Sequence, residues 1–282
     1  MREWLETIFD DMDFPMEARE SLLKDYDKIT LCPAFVYPLN QYNQDLFLDH
    51  KAARENLTDS APSYGVHPYA ALFLVYCCMA YHLKDLYIQK EISLEIWKDT
   101  MKDARCKLME CHNVYGIWGS FVTHWIPRFF EMTCFGIGRL EFEVIPSPIS
   151  CSELSKGEKA INIHIPSRGP LYEEEITDSF TKAKEFFRDQ VPKGIFVCHS
   201  WLLNPDLPLF LDTKSRILAF QRRFIIEEAH DDPSFGDCWR IYNIYYDKHP
   251  ENLPRETALQ RAYADWLAAG HQPKCGFGWL KA

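Results

Sequence analysis

The stretch INIHIPSRGPLYEEEITDSFTKAKEFF, residues 161–187, decides the fold. Its first residues alternate apolar and polar side chains, and this pattern predicts a half-buried strand that ends at Ile165. Residues 166–170 then form a Gly/Pro loop. After the loop, apolar residues recur at three- and four-residue steps, which predicts an amphipathic helix with one face formed by Tyr172, Ile176, Phe180, Ala183 and Phe187.

A strand that runs through a tight loop into a helix is suited to bind an anion. Unpaired N–H groups and the positive end of the helix dipole converge at such a loop, so we expect it to bind a diphosphate, with Arg168 as the cation of the loop. The glutamates 173–175 suit the helix dipole but would repel a phosphate, so their carboxylates must point away. Strand–loop–helix units without any ligand are also common in α/β proteins, and that interpretation stays open here.

The segments around this stretch predict a mixed sheet. Residues 195–201 are largely apolar and follow a helix of crossover length, so they predict a strand parallel to the one ending at Ile165. Residues 138–145 alternate in character and predict an antiparallel neighbour. The remaining predicted elements of this half are a helix over 209–220, strands over 222–229 and 238–246, a helix after Pro254 and a strand over 275–280.

Residues before about 130 carry the 3.6-residue period of helices instead. The pattern predicts two short N-terminal helices and longer helices over 68–89, 94–111 and 117–130. The period changes from 3.6 to 2 near Thr133. The sequence therefore predicts an all-helical domain over 1–130 and an α+β or α/β mixed-sheet domain over 131–282.

Composition excludes several classes of partner. The net charge of −10 argues against nucleic acid, which requires a basic surface. The most apolar run, 70–81, is too short to span a membrane, so no membrane partner is expected. The ten cysteines lie mainly in apolar settings, and the N-terminus does not resemble a signal peptide, which predicts reduced thiols and a cytoplasmic location. Cys106 and Cys111 lack a matching second pair of ligands, so no metal is expected.

Four blocks, in this order, resemble a bacterial family of acyltransferases: GRLEFE (138–143), INIHIPSRGPL (161–171), HSWLL (199–203) and LPRETALQRA (253–262). That family has a helical N-terminal domain followed by a C-terminal domain like that of the GNAT N-acetyltransferases, and the resemblance covers essentially the whole chain. It implies a GNAT-like mixed-sheet domain over 131–282. It also implies acetyl-CoA or another acyl-CoA as co-substrate and an amine acceptor on a small molecule or peptide.

The resemblance also implies which residues contact the cofactor. In GNAT enzymes the pantetheine lies along a strand that splays from its parallel neighbour, and the pyrophosphate rests on the following loop. Only Gly169 of the usual Arg/Gln-x-x-Gly-x-Gly/Ala signature is present, and Pro170 has no N–H to donate, so a non-catalytic binding module of GNAT shape is the alternative. Carried over, the pantetheine would face Ile163, His164 and Ile165, and the pyrophosphate would rest on Ser167, Arg168, Gly169, Pro170 and Leu171. Asn204, at the end of the second strand, is also predicted to bind the cofactor.

Acyl transfer to an amine needs a base, and Glu143 on the neighbouring strand is the first candidate. His164, in the middle of the strand, is the second. His199 and Ser200 would line the same cleft but point to opposite faces of their strand, so they cannot form a nucleophile–base pair with each other. Tyr172 could reach the thioester sulfur.

A serine hydrolase is a third possibility. It would use Ser200 or Ser167 as the nucleophile with His164 as the base. No G-x-S-x-G motif occurs in the chain, which weighs against this reading.

Overall fold

The computed structural model describes residues 1–41 and 50–281. Residues 42–49, in the predicted helical domain, and residue 282, in the predicted mixed-sheet domain, lie outside the described residues. The chain divides into two compact units, Met1–Gly136 and Ile137–Ala282. In the described residues, helices form the N-terminal part and a mixed sheet with helices forms the C-terminal part. This confirms the fold class that the sequence predicts.

The helices of the first unit follow the apolar pattern of the sequence. The predicted helix over 68–89 is confirmed to the residue, and the next helix continues to Tyr115, where Gly116 ends it with a φ of +70°. The helices are α1 (Arg2–Asp11), α2 (Met16–Ile29), α3 (Pro33–Gln41), α4 (His50–Ser60), α5 (Pro68–Gln89), α6 (Leu94–Tyr115) and α7 (Pro127–Phe130).

By length and composition α5 could cross a membrane, but 56% of its most apolar window is buried inside the protein. Burial against the neighbouring helices accounts for this composition.

The predicted helix over 117–130 is wrong except for its last turn, α7. The backbone N–H of Ser120 donates to the carbonyl of Tyr69 at 3.1 Å, so this segment pairs with the start of α5 instead of with itself. At Gly119 a Cβ atom would lie 2.5 Å from the carbonyl carbon of Tyr69. The backbone at Gly119 therefore lies too close to the start of α5 for residues 117–126 to form a helix with side chains on all sides.

The described strands form a mixed sheet in the order β1-β2-β3-β4-β6-β5. The predicted antiparallel pairing of β2 with β3 and the parallel pairing of β3 with β4 are both confirmed. The last strand, β6, inserts between β4 and β5 and is antiparallel to both. The strands are β1 (Cys134–Ile137), β2 (Leu140–Pro146), β3 (Lys159–His164), β4 (Ile195–Ser200), β5 (Ile225–Asp231) and β6 (Lys274–Lys281).

The helix predicted after the Gly/Pro loop is confirmed as α8 (Glu173–Phe186). It covers one face of the sheet, where the ring of Phe180 lies 6.3 Å from that of Phe142 on β2 and 5.1 Å from that of Phe196 on β4. These buried contacts leave the opposite faces of β2 and β3 to their polar residues, because side chains alternate along a strand.

The helix predicted over 209–220 is instead two short helices, α9 (Leu207–Phe210) and α10 (Arg216–Gln221). The polar residues 212–215 separate them. The Ser215 side chain accepts a hydrogen bond from the N–H of Ile217 at 3.2 Å and so starts α10.

The strand predicted over 238–246 is wrong, because residues Cys238–Tyr242 form a helix, α11. Cys238, Ile241 and Tyr242 are buried at helical spacing in one core cluster with residues of α12 (Ala258–Ala268). The Tyr242 hydroxyl also donates to the carbonyl of Gln260 at 3.0 Å. Packing against α12 therefore overrides the strand preference of this aromatic segment.

Candidate active site

The parallel strands β3 and β4 separate after a short shared ladder. Their paired positions are Ile161 with Phe196 and Asn162 with Val197, although β3 continues to His164 and β4 to Ser200. The other edge of each strand remains paired, that of β3 with β2 and that of β4 with β6. An opening between the carboxyl ends of two central strands follows from this register.

A cavity of about 590 Å³ lies where the two strands end. Ile165 lines it directly after β3, and Trp201 and Leu202 line it directly after β4. The helices α10 and α12 contribute Arg216, Ile217, Ala258, Leu259 and Ala262. This volume falls within the range of pockets that hold cofactors and other small molecules.

Loop 166–171 forms one wall of the cavity and is held by a buried arginine. The Arg139 guanidinium donates to the carbonyls of Pro166 at 2.9 Å, Gly169 at 2.8 Å and Pro170 at 3.5 Å. In a trans peptide the N–H points opposite to the carbonyl, so the amides of Ser167 and Leu171 are directed away from Arg139. Arg139 therefore sets the orientation of the amides in the loop.

Gly169 has a φ of +85°, a conformation that other residues adopt only with strain, and a Cβ atom there would meet nothing within 4 Å. The glycine is thus required by the backbone and not by lack of space.

The start of α8 follows the loop, and no side chain caps it. The three glutamates of its first turn are exposed, and none of them lines the cavity. The Glu173 carboxylate lies 3.5 Å from the Arg223 guanidinium. Phosphate binding at the loop requires these carboxylates to point away from it, and none of the three contributes to the cavity wall that the loop forms.

The cations at the cavity differ from the one that the sequence predicts. Arg168 turns away from the cavity lining, because its guanidinium donates to the Gly138 carbonyl at 3.0 Å and to the Glu141 carboxylate at 3.4 Å. The lining instead contains one carboxylate, that of Asp212, and four cationic side chains, which are Arg139, Lys214, Arg216 and Arg240. The cavity is therefore a local basic exception in an acidic protein.

A polar cluster of Glu143, Asn162 and His164 occupies the face of β2 and β3 opposite α8. His164 Nε2 lies 2.8 Å from Glu143 Oε1, and Asn162 Nδ2 lies 3.1 Å from both of these atoms. All three side chains are partly buried. The structure thus joins the two candidate bases, Glu143 and His164, into one hydrogen-bonded unit and adds Asn162, which sequence reasoning did not select.

The two candidates on β4 lie on opposite faces, as expected. His199 shares a face with His164 across the sheet and stacks against His230 at 5.1 Å. Burial and the neighbouring His230 lower the pKa of His199. Ser200 faces the other way, and its hydroxyl accepts a hydrogen bond from the N–H of Leu202 at 3.1 Å. Ser200 therefore cannot pair with His164 as the hydrolase hypothesis requires.

The remaining predicted residues divide into two groups. Ile165, Ser167, Gly169, Pro170 and Leu171 line the cavity. Ile163 is buried in the sheet, and Tyr172 is exposed at the start of α8 with the Arg216 guanidinium 4.7 Å from its ring.

Asn204 is fully buried, and its carbonyl and side chain accept hydrogen bonds from Gln221 and from the N–H of Asp206. Those contacts indicate a structural role for Asn204, in place of the cofactor contact that the sequence predicts.

Arg139 is the important residue that sequence reasoning missed. It belongs to the GRLEFE block, so its position was marked, but its contacts lie 27 to 31 residues further along the chain. No local pattern in the sequence shows such contacts. Lys214, Arg216 and Arg240 were missed for the same reason.

A mixed sheet whose parallel strands part beside a loop and a helix N-terminus is the architecture of a GNAT-like domain. Residues 134–280 match the family model described as GNAT-like C-terminal domain, and residues 3–132 match the one described as N-acyltransferase N-terminal domain. The chain belongs to this family of N-acyltransferases and is an acyltransferase. The resemblance carried by the four sequence blocks is confirmed.

Solved structures share the fold at 18% sequence identity. An acyltransferase in complex with decanoyl-CoA and teicoplanin has a TM-score of 0.75, covering 98% of this chain and 87% of that chain. An acyltransferase mutant with octanoyl-CoA has a TM-score of 0.77, with 99% and 88% covered. An acyltransferase with CoA and 10C-teicoplanin has a TM-score of 0.76, with 98% and 87% covered. No curated protein matches the chain.

Proposed function

We propose that this acyltransferase moves the acyl group of an acyl-CoA to an amine on a small molecule or peptide. The observation that carries the proposal is the opening between β3 and β4, which leads into a cavity of about 590 Å³. The family supplies the reaction class, and the solved structures of the same fold hold CoA and its decanoyl and octanoyl thioesters.

The diphosphate of CoA is assigned to loop 166–171 and the start of α8. Amides turned outward by Arg139, an uncapped helix N-terminus and the cations Lys214 and Arg216 all favour an anion there. The pantetheine is assigned to the opening, where the parted edges of β3 and β4 offer backbone groups. Arg168 keeps a role in holding the loop through Gly138 and Glu141.

The base is assigned to His164, with Glu143 as its partner. With Glu143 ionised, the 2.8 Å contact places the imidazole proton on Nε2 and leaves the lone pair on Nδ1. In this tautomer the Asn162 amide donates to Glu143 and not to His164. The amine nitrogen bonds to the thioester carbonyl carbon, its proton passes to Nδ1, and the carbon–sulfur bond breaks to release the CoA thiolate. Glu143 stabilises the imidazolium that forms.

Direct transfer is favoured over a covalent enzyme intermediate. Cys198, the cysteine on β4 beside the opening, is fully buried, and burial raises the pKa of its thiol to about 12. A buried thiol of this kind is a poor nucleophile. The amine is therefore proposed to attack the thioester directly.

Calorimetric titration with CoA and with acetyl-, octanoyl- and decanoyl-CoA tests the proposal, followed by transfer assays on a panel of amines that includes a glycopeptide. We expect saturable binding of the thioesters and release of free CoA only in the presence of an amine. Binding without transfer to any amine would favour a non-catalytic module. Absence of binding across all the thioesters would refute the proposal.

A further inference from the structure

Three potential metal ligands meet on one face of the strands β4, β6 and β5. His230 on β5 lies directly opposite Cys275 on β6, and His199 on β4 lies opposite Phe277, two residues further along β6. Side chains two residues apart on a strand share a face, so the register brings the three residues together. Their ligand atoms all lie within 4.8 Å of one another.

We propose that His199, His230 and Cys275 bind a Zn²⁺ ion. Two imidazole nitrogens and one sulfur form a donor set that zinc accepts in tetrahedral sites, whereas Mg²⁺ and Ca²⁺ require oxygen ligands. This site is separate from the cavity proposed to bind acyl-CoA, because none of the three residues lines that cavity.

The scaffold favours binding, because hydrogen-bonded strands hold all three Cα positions. With metal–ligand distances of about 2.0–2.3 Å, the ligand atoms of a tetrahedral site lie roughly 3.5 Å apart. Because the three ligand atoms lie within 4.8 Å of one another, the side chains need to close by no more than about 1.3 Å when the ion enters. His199 and His230 are exposed, so their rings can rotate into place while the buried Cys275 stays fixed.

Charge also favours a cation at this position. The carboxylates of Asp237 and Asp232 act electrostatically on Cys275, and their negative charge attracts a cation. On binding, the S–H bond of the Cys275 thiol breaks, a Zn–S bond forms and one proton passes to the buffer, while both histidines bind as neutral imidazoles. Asp237 also interacts with His199, so its negative charge offsets that of the ion.

The ion would tie the edge strand β5 to β4 across β6, so it is expected to stabilise the second unit. A ligand that binds only the folded state raises the melting temperature, and the rise grows with the logarithm of the free ligand concentration once that concentration exceeds the Kd. This effect is independent of acyl-CoA, so it separates the metal site from the proposed function.

Absorption spectroscopy of the full chain with Co²⁺ gives the sharpest test. We expect the sulfur-to-cobalt charge-transfer band and the d–d bands of a tetrahedral site, saturating at one Co²⁺ per chain and displaced by Zn²⁺. The variants C275S and H230Q should both lose the charge-transfer band. The matched controls are C151S, which removes the one partly exposed cysteine of the ten, and H249A, an exposed histidine elsewhere; both should keep the band.

Zinc affinity measured by competition with a chromophoric chelator provides the second readout. The H230Q substitution should weaken binding at least about tenfold, the lower end of the loss caused by removing even an outer-shell partner. Zinc should raise the melting temperature of the native chain and of C151S, but not that of H230Q. His230 is exposed on an edge strand, so its replacement leaves the fold intact. Equal zinc affinity in native protein and H230Q, or a band that survives in C275S, would overturn the site.

Discussion

Two regions near the end of β3 are built in contrasting ways. Loop 166–171 offers backbone groups, and its shape depends on Arg139, which lies outside the loop. The polar cluster of Glu143, Asn162 and His164 offers side chains held by one another at 2.8 to 3.1 Å. The proposed function therefore assigns binding to the backbone and its support, and proton transfer to two side chains.

The contrast is tested most strongly at His164. The H164Q substitution removes the base while leaving loop 166–171 unchanged, so we expect kcat to fall by about 10²–10⁴-fold, the usual contribution of a general base. The Kd for acyl-CoA should change little. Steady-state kinetics and calorimetry on the same preparation measure both quantities.

The companion variant E143Q retains the shape of the partner and removes its charge, so a smaller fall in kcat is expected. A loss of acyl-CoA affinity equal to the loss of kcat would contradict the division of roles between loop and cluster.

The second test is Arg139. In R139M three loop carbonyls lose a charged donor, so we expect the free energy of unfolding to fall by about 3 kcal/mol. The Kd for acyl-CoA should rise roughly 100-fold, since the loop amides lose their orientation. Chemical denaturation and calorimetry report the two effects.

The exposed Arg188 provides the control, and R188M should change neither quantity. Unchanged acyl-CoA affinity in R139M would show that the loop keeps its shape without this support.

The third test uses two glycines with nearly the same left-handed backbone conformation, which an alanine adopts only with strain. Gly169 and Gly157 have φ values of +85° and +87°, and a Cβ atom at either would meet nothing within 4 Å. Each alanine substitution should cost about 1 kcal/mol of stability from strain alone. Only G169A lies in loop 166–171, so only G169A should weaken acyl-CoA binding, by severalfold. Equal affinities in the two variants would remove Gly169 from the binding site.

The smallest expected effect is at Lys214. Because this side chain is exposed, K214M should weaken acyl-CoA binding only about two- to threefold at low salt, and the difference should shrink as salt screens the charge. Lys182 is an exposed lysine on α8 that pairs with Asp178, and K182M is the matched control. Titrations at two ionic strengths check the prediction. A K214M effect that persists at high salt would indicate that Lys214 contacts the acyl-CoA directly and does not act only through long-range electrostatic attraction.

The central part of the fold was predictable because its signals are local. Residues 161–187 show strong periods of 2 and 3.6, and residues 195–200 form a short, largely apolar run. These local signals fix β3, α8, β4 and the parallel connection between them. The errors occur where distant contacts decide the structure. Residues 120 and 69 pair in place of the predicted helix over 117–130, and α12 draws residues 238–242 into a helix.

The candidate site shows the same division. The sequence selected loop 166–171 and, as alternative bases, Glu143 and His164, because these residues lie on or beside regular strands. It misplaced the cation, since the roles of Arg139 and Arg168 depend on carbonyls and a carboxylate about 30 residues away. Hydrogen bonds across that separation leave no periodic trace in a single sequence.

Gly276 on β6 has a further consequence for the cavity, because the Trp201–Leu203 turn, whose first two residues line the wall, passes directly over it. A Cβ atom at residue 276 would lie 2.0 Å from the Leu203 carbonyl oxygen. Any larger residue would push that turn off the sheet and reshape the room for a thioester, although Gly276 contributes nothing to the lining. Engineering the preference for donor length could therefore start at a position that no ligand contacts.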